Sequence, residues 1–341
     1  MKMVRLGKTE LMVSKVAFGV LPLQRVEKRE AVRILQAALE GGINYFDTAN
    51  AYTDSEEKIG AAFQGRRDRV ILSTKSGGDD YATVRGHIEE SLRRLKTDYI
   101  DLFQFHNPAN PPEPDGEDGR YRAALEMQEK GYIRHIGITN HRADVALRAA
   151  ESGLFTTMQF PFNYLASERD QQLRQRCQEL DLGFIAMKAL SGGLLSNARA
   201  CYTFMEEYPQ VVPIWGIQRM SELEEFLSLE REGAGMTEEL RAVIEKDRRE
   251  LAGNFCRGCG YCMPCPAGIE IFTAARMAML LRRAPWQPLL SPENYEKMHR
   301  IENCIGCHHC SDHCPYGLDT PALLKEMLAD YDAFYAEKMG K

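Results

Sequence analysis

YIDLFQFH, residues 99–106, sets apolar side chains at 99, 100, 102, 103 and 105 and ends on a histidine. A short run this rich in aromatic and branched residues reads as a buried parallel strand. Upstream lie three more such runs, VSKVAFG (13–19), INYFDTA (43–49) and RVILSTK (69–75). Downstream lie IRHIGITN (133–140), TMQFPFN (157–163), GFIAMKAL (183–190) and VVPIWGI (211–217). Helical patterns separate them. In residues 28–40, Ala31, Ile34, Leu35, Ala38 and Leu39 form one apolar stripe, and Gly41-Gly42 supplies the stop. Similar stripes occupy 83–95, 120–130, 142–151, 168–181 and 221–230. Eight strands, each followed by a helix, predict an α/β fold of the (β/α)8 TIM-barrel kind rather than an open sheet. The first dozen residues, with Gly7-Lys8 between short apolar runs, predict a small hairpin closing the barrel floor.

Beyond the alternation the composition changes. Eight of the ten cysteines fall in two groups: Cys256, Cys259, Cys262 and Cys265 before Pro266, and Cys304, Cys307, Cys310 and Cys314 before Pro315. The second group reads C-x2-C-x2-C-x3-C-P, the run that wraps a [4Fe–4S] cubane in bacterial ferredoxins; the first is one residue shorter before its last cysteine. Soft thiolates select iron–sulfur or zinc. Zinc sites pair two C-x2-C knuckles without the closing cysteine–proline, so iron–sulfur is the preferred reading, with zinc or a disulfide framework as alternatives. Two complete ligand sets predict two [4Fe–4S] clusters. In two-cluster ferredoxins the last cysteine of each run serves the other cluster. Applied here, Cys256, Cys259, Cys262 and Cys314 would hold one, and Cys304, Cys307, Cys310 and Cys265 the other.

The 341 residues exceed one ordinary domain, although a TIM barrel absorbs about 250. With 44% hydrophobic and 27% charged residues there is ample core material. A net charge of −6 argues against nucleic acid and an anionic membrane surface as partners. No apolar run nears the roughly 18 residues that span a bilayer, and MKMVRLGKTE has no signal-peptide core. Cysteine-rich and without a secretion signal, the chain is expected in a reducing cytoplasm, in an anaerobic host.

The expected organisation is a barrel over 1–236, a linker helix over 237–253, a mostly α-helical ferredoxin-like dicluster domain over 254–320, and a C-terminal helix over 321–341. The spacer between the cysteine groups carries an expected helix at 270–283 and the breaker APWQPLLSPEN (284–294). NPANPPEPDGEDGR (107–120) reads as a solvated loop, with a substrate lid as the alternative. Cys177 and Cys201 read as structural thiols, and Trp215 and Trp286 as packing residues. His308, His309 and His313 stand among the second cysteine group and read as exposed neighbours rather than ligands.

Asp47, Tyr52, Lys75 and His106 sit at or just after strand C-termini, the face where barrel enzymes place catalysis. The stretches NYFDTANAY–SEEKIG, ILSTKSG and DYIDLFQFHNP resemble the aldo-keto reductase family, as do RLGKTELMVSKVAFG, GITNH and MQFPFNYL. The resemblance covers roughly residues 1–230. It implies NADP or NAD as cofactor, a small-molecule carbonyl substrate, and a tetrad in which Tyr52 is the proton donor. The chemistry agrees. Hydride delivery builds negative charge on oxygen, so an acid must stand beside it, and a phenol with pKa about 10 needs help. Lys75 is expected to lower that pKa, Asp47 to hold Lys75, and His106 to orient the carbonyl. The resemblance further implies that Thr139, Asn140 and Gln159 contact the nicotinamide carboxamide. Many family members stack an aromatic residue on the nicotinamide and continue into a Ser-Pro-Leu-like turn. This chain departs there, with Met187-Lys188-Ala189-Leu190 and Ser191-Gly192-Gly193. Lys188 is expected at the pyrophosphate, with Gly192 and Gly193 allowing close approach. After the last strand, Gln218-Arg219 keeps one arginine suited to a 2′-phosphate, and Phe226 replaces an adenine-binding asparagine.

Two functions of different class follow. One is an NAD(P)H-dependent carbonyl reductase with electron transfer through its clusters, to or from a redox partner protein. The other is an iron–sulfur electron carrier or docking protein on a degenerate barrel. In a third version the clusters only support the structure. A hydride carries two electrons and a cubane passes one, so coupling the halves normally needs a flavin or radical intermediate, and no flavin signature is present.

Overall fold

The computed structural model describes residues 1–233, 235–251, 255–283 and 286–340. The end of the expected linker helix, Asn254 and the start of the breaker segment lie outside the described residues. Strands β1 (Met3–Arg5) and β2 (Met12–Ser14) pair antiparallel as the hairpin. A closed parallel barrel of eight strands follows: β3 (Ala17–Gly19), β4 (Tyr45–Asp47), β5 (Ile71–Ser76), β6 (Ile100–His106), β7 (Ile133–Thr139), β8 (Thr157–Pro161), β9 (Gly183–Met187) and β10 (Val211–Gly216). Pairing of β10 with β3 closes it, in the register Trp215 to Phe18. One helix follows each strand: α1 (Lys28–Glu40), α2 (Ser55–Ala62), α3 (Tyr81–Leu95), α4 (Arg120–Glu129), α5 (Ala143–Glu151), α6 (Glu168–Glu179), α7 (Ala198–Glu206) and α8 (Met220–Glu232).

The run 13–19 thus divides between hairpin and barrel. Ser14 Oγ donates to Val16 O at 2.8 Å and bends the chain between β2 and β3. Helix α2 has no stripe in the sequence because Ser55, Glu56 and Lys58 are buried on its inner side. They find polar partners there: Glu56 Oε1 accepts from Thr74 Oγ1 at 2.6 Å while its Oε2 pairs with Arg94 at 3.5 Å, and Lys58 donates to Leu23 O at 2.8 Å.

The hairpin seals the floor as expected. Leu6 packs with Val13, Ala17, Tyr45, Leu102, Ile185 and Val212 in one core. Gly7 makes the turn at φ +53, and a Cβ there would lie 2.2 Å from Gly183 N. Backbone cannot yield as a flexible side chain can. Gly7→Ala is therefore expected to destabilise the barrel by roughly 2–5 kcal/mol, read as a lowered urea midpoint.

The chain folds as two compact units, Met1–Ala189 with Ala198–Ile244, and Leu190–Asn197 with Glu245–Lys341. The boundary falls inside α9 (Glu238–Glu250). The second unit carries α10 (Ile271–Ala274), α11 (Met277–Arg283), α12 (Pro292–His299), α13 (His309–Asp312) and α14 (Thr320–Met339). The helix expected over 270–283 is broken at Ala275-Arg276, where Arg276 Nε turns back to Phe272 O at 2.9 Å. Ile271, Met277, Leu281, Leu324 and Tyr331 form the core, which also takes in Cys256, Cys262 and Cys310.

Candidate functional site

Three strands and one loop bring Asp47, Lys75, His106 and Tyr52 to the C-terminal mouth of the barrel. Asp47 ends β4, Lys75 is next to last in β5, and His106 ends β6. Tyr52 follows in the loop after β4, fixed by the bond from Tyr52 N to Ala49 O at 3.0 Å. Lys75 Nζ meets Asp47 Oδ2 at 2.6 Å and donates to Thr48 O at 2.5 Å. It lies 5.6 Å from the centre of the Tyr52 ring. His106 stands edge-on to that ring, centroids 5.7 Å apart and planes at 81°. All four residues expected at the mouth are brought together.

Their electrostatics differ in one respect from the sequence-based expectation. Burial, and then the Asp47 charge, push the Tyr52 phenol above its ordinary value rather than below it. Lys75 is engaged by Asp47, so its pull on the phenol is offset by the carboxylate. Within the pair, burial lowers the Lys75 ammonium and raises the Asp47 carboxyl, and their mutual attraction opposes both shifts. Burial, and then the Lys75 charge, push the His106 imidazole down to about 3. It is a neutral ring near neutrality.

A polar network under the mouth was not foreseen. Gln104 Nε2 reaches Ser73 Oγ at 2.9 Å and Gln159 Oε1 at 2.7 Å, and Ser73 Oγ donates to Asp47 Oδ1 at 3.1 Å. The signal was available as a glutamine inside the otherwise apolar run of β6. Such a residue is fully buried only with partners.

The residues expected at the nucleotide fall in four places. Thr139 and Gln159 face each other across β7 and β8. Thr139 Oγ1 accepts from Asn107 N at 3.0 Å, and Asn140 Nδ2 donates to Pro108 O at 2.9 Å, which ties down the start of the acid-rich loop. Lys188 adopts φ +59, its carbonyl accepting from Asn163 Nδ2 at 2.9 Å. Gln218 and Arg219 are drawn to Glu222, which sequence reasoning passed over. Phe226 is buried in the core, stacked on Trp215 at 4.4 Å. Gly192 and Gly193 belong to the second unit. There Arg276 Nη1 donates to Gly192 O at 3.1 Å, and a Cβ on Gly192 would meet that same atom at 2.8 Å.

The second unit holds two cavities walled by thiols. One is lined by five thiols, Cys256, Cys259, Cys262, Cys310 and Cys314. The other is lined by Cys265, Cys304, Cys307 and Cys310. In the first, Gly258 N donates to Cys256 Sγ at 3.4 Å, and the Arg257 guanidinium lies 4.5 Å from the Tyr316 ring centre. Cys307 is exposed at the second, where His308 and His309 also line the wall. His313 stacks on His309 at 4.1 Å. Among the described residues no three His, Cys, Asp or Glu side chains are grouped to hold a single metal ion.

A closed parallel barrel thus gathers Asp47, Lys75, Tyr52 and His106 at its C-terminal mouth. Residues 15–230 match the Aldo/keto reductase family, and residues 255–319 match the 4Fe-4S dicluster domain. The chain belongs to the aldo/keto reductase family. It is 33% identical over 207 residues to the uncharacterized oxidoreductase YqkF of Bacillus subtilis, a match covering 57% of this chain and 66% of that protein. It is 31% identical over 185 residues to the aldo-keto reductase YhdN of the same organism, covering 50% and 55%. Among solved structures, the holo form of aldo-keto reductase AKR11C1 from Bacillus halodurans superposes with a TM-score of 0.63 at 25% identity, covering 72% of this chain and 96% of that one. A Klebsiella pneumoniae aldo/keto reductase solved with NADP and acetate shares the fold at TM-score 0.62 and 23% identity, covering 72% and 94%.

Proposed function

We propose that the barrel reduces a small carbonyl compound using NAD(P)H, with Tyr52 as the proton donor. The convergence of Asp47, Lys75, Tyr52 and His106 at one mouth carries this reading. A bound nicotinamide would supply the hydride. The donor set fits it: the Asn140 and Gln159 amides and the Thr139 hydroxyl lie at the ends of neighbouring strands, suited to a carboxamide. Lys188 is the cation proposed for the pyrophosphate.

Tyr52 holds its proton near neutrality because burial raises its pKa. As charge develops on the substrate oxygen, Tyr52 gives that proton up. The nearby Lys75 ammonium, kept charged by Asp47, then stabilises the phenolate until solvent returns the proton. The neutral His106 orients the carbonyl oxygen through a ring N–H. Hydride and proton together convert carbonyl to alcohol, which balances the reaction.

The neutrality of His106 has a visible consequence. With its pKa held at about 3, the rate profile is expected to show no His106 limb between pH 5 and 8, and His106→Gln should lower activity without changing the profile's shape. An inflection near 6.5 that vanishes in the variant contradicts this assignment. The same depression makes folding bind fewer protons. This contribution to stability is therefore present above about 6.5 and is lost as the pH falls from there toward 3.

For the second unit we propose two [4Fe–4S] clusters. Each would supply single-electron transfer when present. The cysteine linings of the two cavities, with Cys310 in both, and the match of residues 255–319 to the 4Fe-4S dicluster domain support this assignment. A redox partner protein, a cytoplasmic location and an anaerobic host belong to the same proposal.

One observation favours the carrier reading: Phe226 lies in the core where the family resemblance puts adenine contacts. The test separates the two. Anaerobically purified protein is titrated with NADH and NADPH and screened for their oxidation by aldehydes and ketones. Binding with substrate-dependent oxidation supports the reductase; iron and sulfide without nucleotide binding leaves the carrier.

A further inference from the structure

We propose that Arg257 and Arg276 raise the reduction potential of the cluster at the cavity lined by Cys256, Cys259 and Cys262, and leave the other cluster outside their reach. This rests on the reading of the second unit as a two-cluster module and adds what sets its clusters apart. Arg257 stands inside the first cysteine run and lines that cavity. Its guanidinium lies 4.7 Å from the centre of the Phe255 ring and 4.5 Å from that of Tyr316. Phe255 precedes the first cysteine run and Tyr316 follows the second, so each run contributes one ring to hold this cation. Arg276 reaches the same loop from the break between α10 and α11. It donates through Nε to Phe272 O at 2.9 Å and through Nη1 to Gly192 O at 3.1 Å. Gly258, at φ +62, lies beneath it: a Cβ there would meet Arg276 Cζ at 2.7 Å. The guanidinium therefore rests against the backbone of the Cys256-Arg257-Gly258-Cys259 turn, at the residue whose N–H donates to Cys256 Sγ at 3.4 Å.

Both cations are fixed in place, one between rings and the other by carbonyl oxygens. Carbonyls are neutral acceptors and leave a guanidinium its charge, and arginine stays protonated at any working pH. A cubane held by thiolates becomes more negative when it takes up an electron. A fixed cation beside it therefore favours the reduced form and raises the potential. Net charge, hydrogen bonds to sulfur and exposure to solvent are what separate one cluster's potential from another's. The two cavities differ in the first of these. Among the described residues, the second cavity is lined by no lysine or arginine; its rim is the exposed Cys307 with His308 and His309. Holding iron needs only the cysteines, so the paired arginines at the first cavity point to tuning rather than ligation.

Potentiometric titration of the full-length, anaerobically prepared protein, followed by EPR, reads the effect. Iron and sulfide analysis comes first: about four iron atoms per chain instead of about eight means that the two-cluster reading has failed and takes this one with it. Arg276→Gln and Arg257→Gln are each expected to move one reduction step to lower potential and leave the other in place. At an effective dielectric of about 20, a unit charge about 8 Å away changes a one-electron equilibrium by more than tenfold. A tenfold change in the reduced-to-oxidised ratio is read as a shift of about 59 mV. Arg276→Lys keeps the charge and should stay near the parental potential, which a guanidinium needed only for packing would not produce. Cys304→Ser with Cys307→Ser damages the second site and should preserve the step that the arginines move. Both steps moving together, neither moving, or Arg276→Lys shifting as far as Arg276→Gln overturns the proposal. If Arg276→Gln loses its iron, the titration of Arg257→Gln decides.

Discussion

Tyr52→Phe is expected to lower the rate of carbonyl reduction by about 10²–10⁴ while leaving nucleotide dissociation constants nearly unchanged. The substitution removes one oxygen and keeps the ring that His106 meets edge-on at 5.7 Å. The Lys75–Asp47 pair does not depend on the phenol: its contacts are 2.6 Å to the carboxylate and 2.5 Å to Thr48 O. The mouth should therefore keep its shape and lose only its acid. Single-turnover rates with a substrate found in the screen provide the measurement, with the nucleotide titration as control. A parental rate in Tyr52→Phe rules Tyr52 out as the proton donor. Lys75→Met is a different perturbation, because it leaves Asp47 buried without its cation, and part of any loss would reflect folding.

Some of this site was legible in the sequence and some was not, for identifiable reasons. Strand runs such as YIDLFQFH announce themselves because parallel barrel strands are buried on both faces. Asp47, Lys75 and His106 then stand out as polar residues at apolar run ends. Helix α2 did not, since its inner face carries the buried polar residues Glu56 and Lys58, held by hydrogen bonds and an ion pair to Arg94 rather than by apolar packing alone. Periodicity cannot register such a helix. Charge balance was equally hidden. Lys75 near Tyr52 predicts a lowered phenol pKa, but burial of the phenol, and then the Asp47 charge, raise it, and neither the burial nor that proximity is visible in the sequence. The Glu222–Arg219 pairing is a three-residue spacing found on many exposed helices, and only the helix start at Met220 turns it into a cap. Gly192 was expected to allow phosphate approach from its place in the loop after the seventh strand; its contact with Arg276, 84 residues further along the chain, was not legible in the sequence.

The wiring of the cysteines gives the other large expected effect. If each run kept its own cluster, Cys314 would belong with Cys304, Cys307 and Cys310. The cavity linings favour exchange: Cys314 lies with Cys256, Cys259 and Cys262, Cys265 lies with Cys304 and Cys307, and Cys310 lines both cavities. A run of closely spaced cysteines curls around one face of a cubane, and the fourth corner is reached from the other run. Single substitutions cannot separate these schemes, since each removes one ligand from one cluster. Pairs can. Under exchange, Cys256→Ser with Cys314→Ser damages a single cluster, and iron should fall from about eight to about four atoms per chain. Cys256→Ser with Cys265→Ser should strip both clusters and bring iron close to zero. Without exchange the two results trade places. Iron and sulfide analysis of anaerobic preparations, with EPR of the reduced protein, reads the difference. About four iron atoms in the parent itself would instead mean that only one cavity is filled, and tightly bound zinc without iron would remove the iron–sulfur assignment altogether.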